Sequence, residues 1–344
     1  MPTQGPPLID IGPLMAHAAA ADTPTDEAVL RVAADLDRAC RDWGFVRLTG
    51  HGIEPELLAR LDTSARRFFA LSTEEKARVA MPNAGAAWRG WFPVGAELTA
   101  GRPDRKEGLY FGAELPPDHP HVLAGTPLFG ANLYPERPDD LATLVPAYMH
   151  AATSVGHAVM RGLAMGLGID ANWFDAHLTA NPTVLFRIFH YPPNPIEAEP
   201  TWGVSAHTDY GLLTLLAQDD RGGLQVHVGQ RWVDVPAEPG VLVCNLGDML
   251  EAMVGGRYRS TLHRVRNTSG QGRLSFPFFF DPAWDARIDP IPGLTAPPAA
   301  ERSDRWDGAN PLAWRGTYGE YLTTKVARVF PDLFGSIGPD HPEG

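Results

Sequence analysis

With only two cysteines in 344 residues, Cys40 and Cys244, the chain has no disulfide framework. Both read as small buried thiols in a reducing compartment, and a cytoplasmic location is expected. Basic residues are scarce: 29 Lys and Arg stand against 41 Asp and Glu, for a net charge of -12. Nucleic acid and anionic membrane surfaces both require a positive footprint, so neither is an expected partner. No apolar run approaches membrane-spanning length. The opening Met1–Pro7 has no basic stretch followed by an apolar core, so no secretory leader is expected. A hydrophobic fraction of 44% and a charged fraction of 20% describe an ordinary globular chain rather than a disordered one. The expected partner is a small-molecule substrate, and the composition is compatible with a monomer.

Glycine and proline, at 35 and 33, are by contrast abundant, as a fold of short strands and turns demands. The N-terminal part alternates helix and strand. Residues 28–42 place Leu30, Ala33, Leu36 and Cys40 on one helical stripe closed by Trp43-Gly44, and Phe45–Thr49 reads as a strand. A second helix runs from Pro55 to Phe69, and Ser72 with Glu75 has the spacing of a capping box. Residues 83–101 read as a loop or irregular strand before Asp104–Phe111 re-enters a sheet. Leu141–Leu167 is a long helix ended by Gly168. From Thr183 to Phe280 the pattern changes to short β runs between Gly and Pro breakers, which indicates a sandwich or barrel of jelly-roll type. Pro290–Ala300 reads as a loop, and Tyr318–Phe330 as a final amphipathic helix.

Within the β-rich stretch, Ser205-Ala206-His207-Thr208-Asp209 sets His207 and Asp209 on one side of an extended segment, because strand residues alternate faces. His263, in Leu262-His263-Arg264-Val265, lies in a second β run that could supply a third corner. Two imidazoles and a carboxylate on one face, with the opposite face open, is an arrangement that holds Fe(II) for dioxygen chemistry. Taken alone, a His-x-Asp triplet also describes a hydrogen-bonded surface pair. Further on, Arg273-Leu274-Ser275 puts a guanidinium and a hydroxyl on one face of a strand otherwise built of Leu and Phe. A planar fork in that setting asks for a carboxylate partner. A surface arginine whose stem covers apolar neighbours is the alternative.

In combination, Tyr191-Pro192-Pro193, His207-Thr208-Asp209, Gly222-Gly223-Leu224-Gln225-Val226, Trp232-Val233-Asp234-Val235-Pro236, Asn245-Leu246-Gly247-Asp248, Leu262-His263-Arg264-Val265 and Arg273-Leu274-Ser275-Phe276-Pro277 resemble the Fe(II)/2-oxoglutarate-dependent dioxygenases of the isopenicillin N synthase-like superfamily. Trp43-Gly44-Phe45, Gly50-His51-Gly52-Ile53 and Leu71-Ser72-Thr73-Glu74-Glu75-Lys76 resemble that family's N-terminal region, so the similarity covers nearly the whole chain. The resemblance implies an α+β fold: a distorted double-stranded β-helix (jelly roll) core with an N-terminal α/β segment and flanking helices. It divides the chain into an N-terminal segment, 1–130, and a catalytic region, 131–344, with its core at about 183–282. It implies Fe(II) held by His207, Asp209 and His263. The cosubstrate 2-oxoglutarate would be held at its distal carboxylate by Arg273 and Ser275, with a hydrogen bond from Tyr191. Where the family often has Asn two residues before that tyrosine, this chain has Phe189. The implied activity is oxidation of an unactivated C–H bond by dioxygen, as hydroxylation, desaturation or cyclisation, with release of succinate and carbon dioxide.

Two rivals accompany this reading. An oxidase like isopenicillin N synthase or aminocyclopropane carboxylate oxidase uses Fe(II) and oxygen without 2-oxoglutarate and carries the same Arg-x-Ser pair. A non-catalytic jelly-roll binding protein would leave the polar triplet merely satisfying itself. For the substrate wall, Phe279 continues the parity of Arg273, Ser275 and Pro277, and Trp91, Arg89 and Phe111 are candidates from the N-terminal part. His51, His150, His157 and His227 read as structural or packing residues, and Asp248 as a helix N-cap.

Overall fold

The computed structural model describes residues 5–17, 26–193, 202–294 and 310–330. The chain opens with β1 (Leu8–Asp10), α1 (Gly12–His17), α2 (Glu27–Asp42) and β2 (Phe45–Thr49). Asp26 caps α2 by accepting from the Ala28 amide at 2.8 Å. The buried stripe of α2 is Val29, Val32, Ala33, Leu36 and Cys40, whereas Leu30 is 45% exposed. The expected stripe was therefore right except at its first member. Gly44 then turns the chain with φ 65, and a Cβ there would sit 2.2 Å from the Arg259 carbonyl oxygen, so glycine is required.

Next come α3 (Pro55–Phe69) and α4 (Thr73–Ala77), the latter opened by the Ser72–Glu75 capping box. The stretch expected as a loop or irregular strand begins within a 3-10 turn at Met81–Ala87 and contains the short strands β3 (Gly90–Phe92) and β4 (Leu98–Thr99). β5 (Arg102–Pro103), β6 (Glu107–Gly112) and the single-turn α5 (Pro120–Leu123) lead to α6 (Leu141–Leu167), which ends at Gly168 with φ 76. Behind the sheet, α6 packs closely because Gly156 has no side chain: a Cβ there would lie 2.5 Å from the Phe280 ring.

The β-rich part comprises β7 (Thr183–Tyr191), β8 (Val204–His207), β9 (Leu213–Gln218), β10 (Leu224–Val228), β11 (Arg231–Asp234) and β12 (Leu242–Leu246). It continues through α7 (Asp248–Met253), β13 (His263–Val265) and β14 (Arg273–Asp281), and α8 (Tyr318–Val329) follows. Two large sheets result, one in the order β1-β2-β12-β9-β14-β7-β6-β3 and the other β11-β10-β13-β8, and β4 and β5 form a separate two-stranded hairpin. The N-terminal strands extend the larger sheet at both edges, β2 pairing with β12 and β6 with β7. The N-terminal segment therefore shares a sheet with the jelly-roll core.

Alternate residues of β7 (Leu185, Arg187, Phe189, Tyr191) and of β14 (Arg273, Ser275, Pro277, Phe279) face a cavity. Its opposite wall comes from β8, β10 and β13, and Leu322, Val326 and Val329 of α8 cover it. Both cysteines are free and buried. Asp248 departs from expectation: Gly247 takes the N-cap position, and the Asp248 carboxylate instead accepts from the Tyr321 hydroxyl at 3.0 Å. Of the loop expected at 290–300, residues 295–300 lie outside the described residues. No described helix is long and apolar enough to cross a membrane.

Candidate active site

β8 and β13 are antiparallel neighbours with His207 and His263 directly opposite in register, and their ring centroids are 4.2 Å apart. Asp209 follows in the turn after β8, with Oδ1 3.7 Å from the Nε2 atom of each histidine. One donor atom from each of the three lies within 4.8 Å of the others. The Nδ1–H of His207 donates to the Ser205 carbonyl at 2.8 Å and that of His263 to the Thr261 carbonyl at 3.1 Å. This fixes the tautomer and aims both Nε2 lone pairs at the cluster. Oδ2 of Asp209 accepts from the Thr214 hydroxyl and from the Asn245 amide at 2.7 Å, which leaves Oδ1 free.

Burial keeps the imidazoles neutral: His207 is pushed down, and His263, with His207 beside it, is pushed down to about 4. Burial works to raise Asp209, but His263, His207 and the hydrogen bonds from Thr214 and Asn245 outweigh it and hold the carboxyl low. Two neutral imidazoles and one carboxylate, all facing one cavity, make a donor set that fits a divalent iron ion.

Arg273 is 1% exposed. Its Nε donates to the Gly222 carbonyl at 2.6 Å and its Nη2 to Gln218 at 3.1 Å, and its face lies 4.7 Å from the Tyr191 ring centroid. The buried Nη1 has no partner among the described residues. Beside it the Tyr191 and Ser275 hydroxyls are 3.3 Å apart, and all three residues line the cavity. An orphaned guanidinium N–H with two hydroxyls is the cradle that a carboxylate fills, so the residues fit the distal end of 2-oxoglutarate.

The wall candidates divide. Phe279 lines the cavity, but Trp91, Arg89 and Phe111 do not. Trp91 donates to Glu107 at 3.0 Å, Arg89 donates to the Leu128 carbonyl at 2.6 Å, and Phe111 stacks between Tyr134 and Phe186. The reason is strand parity: on β6 the inward residue is Tyr110, so its neighbour Phe111 points the other way, and from the preceding turn it is Trp88 that reaches the cavity. Glu97, Lys106, Arg187 and Asp281 also line the cavity, and none was anticipated. Nor was the support of Asp209 by Thr214 and Asn245. Each of Arg187, Thr214 and Asn245 is a polar residue interrupting an apolar strand, the same signal that drew attention to Arg273. The histidines outside the cluster behave as expected: His51 bonds the Gly240 carbonyl at 3.0 Å, and His227 packs on Trp232.

A jelly roll presenting two imidazoles and a carboxylate to a cavity, with a buried arginine nearby, defines the class of non-haem iron oxygenases. Comparison with known proteins makes the assignment particular. Residues 6–137 match the family described as non-haem dioxygenase in morphine synthesis N-terminal, and residues 182–282 match the 2OG-Fe(II) oxygenase superfamily, to which the chain belongs. A probable iron/ascorbate oxidoreductase of Dictyostelium discoideum is 42% identical, covering 89% of this chain and 91% of that protein. A homoarginine-6-hydroxylase of Glycine max is 37% identical, covering 95% and 98%. The crystal structure of a full-length Neurospora crassa protein in complex with alpha-KG and thymine matches with a TM-score of 0.75 and 27% identity, over 93% of this chain and 96% of that one. The protein is thus an Fe(II)/2-oxoglutarate-dependent oxygenase using dioxygen, and the binding-protein rival is set aside.

Proposed function

We propose that this enzyme oxidises an unactivated C–H bond of a small organic molecule, with release of succinate and carbon dioxide. His207, Asp209 and His263 would hold Fe(II), while Arg273, Ser275 and Tyr191 would hold the distal carboxylate of 2-oxoglutarate. The iron and keto acid, when bound, supply the oxidising power drawn from dioxygen. The chain's own residues do the rest. The backbone carbonyls of Ser205 and Thr261 orient the imidazoles, and Thr214 and Asn245 orient the carboxylate. Phe189, Phe279, Leu216 and Val265 make the cavity apolar and exclude water from the reacting carbon. The observation that carries this reading is the unpartnered Nη1 of Arg273 in the same cavity as the three-donor cluster.

The division at residue 130 into an N-terminal segment and a catalytic region is supported by the two separate family matches. The two buried free thiols are in keeping with the cytoplasm. Anaerobic titration with Fe(II) and 2-oxoglutarate should give the visible metal-to-ligand charge-transfer band of the chelate, and turnover should give succinate. The likeness to an iron/ascorbate oxidoreductase favours a second reading, an oxidase that takes its electrons from ascorbate. Succinate formed in step with product supports the first reading, and product without succinate supports the second.

A further inference from the structure

Arg187 stands inside the cavity as a cation without an anion. It projects inward from β7 with Leu185, Phe189 and Tyr191, and it is half-buried. Its guanidinium carbon lies 3.4 Å from the Tyr110 ring centroid and 5.3 Å from that of Phe279. Among the described residues no side chain or carbonyl accepts a hydrogen bond from it, and no carboxylate stands within ion-pair distance, although Asp281 feels its charge across the cavity. The acids that share the cavity are already engaged. Glu97 binds the Tyr110 hydroxyl at 2.5 Å and Lys106 at 2.8 Å. The oxygens of Asp281 take the Leu212 amide at 3.2 Å and the Tyr318 hydroxyl at 2.5 Å. Asp209 belongs to the metal cluster. A like charge adds to the imbalance: Arg89, buried behind, is pushed down to about 9 by burial and by Arg187.

The missing anion is not 2-oxoglutarate. Tyr191 is paired in register with Arg273, and Arg187 lies four residues earlier on the same strand, about 13 Å along it at the usual rise per residue. A keto acid with its distal carboxylate on Arg273 and its other end at the iron has no anionic group left for Arg187. A planar fork laid flat on an aromatic ring, with its N–H edge free, is built for bidentate binding of a carboxylate.

We propose that the substrate of this oxygenase carries a carboxylate, and that Arg187 is the specificity-determining residue that receives it, with Tyr110 and Phe279 holding the guanidinium flat. This rests on the oxygenase reading and deepens it. The substrate is anchored at one end by Arg187, and its apolar part extends along Phe279 and Leu216 toward the three-donor cluster.

The test uses enzyme charged anaerobically with Fe(II) and 2-oxoglutarate. It is titrated with L-homoarginine, L-leucine and phenylacetate, each against its primary amide, and binding is read by calorimetry and by perturbation of the charge-transfer band. At least one acid should bind, and its amide about 30-fold or more weaker, as expected for a charge pair screened from water. Arg187→Gln should bring the acid down to the level of the amide and leave the amide unchanged. Arg187→Lys, which keeps charge but loses the fork, should fall between them, and it replaces the glutamine variant should that one fail to fold. Equal binding of acid and amide, an undiminished acid affinity in Arg187→Gln, an equal loss for acid and amide, or no binding by any acid each overturns the proposal. A wild-type enzyme that shows no charge-transfer band sinks the parent reading instead.

Discussion

Asn245 donates its side-chain amide to Oδ2 of Asp209 at 2.7 Å, and so determines which carboxylate oxygen faces the two histidines. The two residues come from different places, Asn245 from β12 and Asp209 from the turn after β8. Thr214, opposite Asn245 in the β9–β12 register, completes the grip. Groups that orient a metal ligand without touching the metal typically carry about 10- to 100-fold in affinity. Asn245→Ala should weaken Fe(II) binding within that range, measured anaerobically against a chelator of known affinity. The fold should survive, since a smaller side chain fits in the same strand. An unchanged affinity would remove Asn245 from the orienting role.

Arg273→Ala should weaken 2-oxoglutarate by about 2–5 kcal/mol, the loss expected on deleting one partner of a buried, hydrogen-bonded charge pair. Calorimetric titration of the Fe(II) enzyme measures it. Arg273→Lys should recover only part, because an ammonium cannot reproduce the bonds to Gly222 and Gln218 and still present a free N–H. Wild-type affinity in the alanine variant would reject the clamp.

The sequence made the strand parity of β14 readable because four inward residues, Arg273, Ser275, Pro277 and Phe279, follow one another without a bulge. The metal cluster was readable from the His-x-Asp spacing and the later His263, although Asp209 lies in the turn after β8 and the β8–β13 pairing carries a register shift. Its outer support was not, since Thr214 and Asn245 meet Asp209 only through strand pairing across long sequence separations. In the N-terminal wall, Phe111 and Arg89 each miss the cavity by one position, and Trp91 lies on the wrong face of β3. Nothing local distinguishes Tyr110 from Phe111 as the inward aromatic of β6, and a shift of one residue reverses every side chain. At Asp248 the composition of a helix start was right, but the preceding glycine already occupied the cap.

Lys106 is 2% exposed and bonds two buried acids, Asp104 at 2.5 Å and Glu97 at 2.8 Å. Burial opposes its charge, and the two carboxylates more than offset this, so Lys106 is held above its ordinary range. Lys106→Met would leave both acids facing each other in a low-dielectric setting. It should cost about 3–5 kcal/mol, the usual loss on breaking a buried ion pair from one side. Adding Asp104→Asn and Glu97→Gln should restore part of the loss, because the stranded charge is then gone. Urea unfolding of the three proteins reads this directly. A single variant as stable as wild type would show that the acids are protonated or hydrated rather than paired.

Asp281 gives stability a pH dependence of unusual sign for an acid. Burial, the dominant cause, pushes its carboxyl up to about 7, while the hydrogen bonds from Tyr318 and the Leu212 amide only partly resist. In the unfolded chain the same group titrates near the ordinary aspartate value of about 4. Between these two values the folded protein keeps a proton that the unfolded chain has released, so unfolding releases protons and stability falls as pH rises through the window, levelling above it. Asp281→Asn cannot ionise. The stability of wild type relative to this variant should therefore decline from about pH 4 to about pH 7, by roughly 4 kcal/mol at most. Tyr318→Phe removes a bond that favours the carboxylate, so in that background the decline should extend to higher pH. Urea unfolding of the three proteins across the window measures both effects, and a wild-type-to-asparagine difference that stays flat with pH would show that Asp281 is ionised in the folded state throughout.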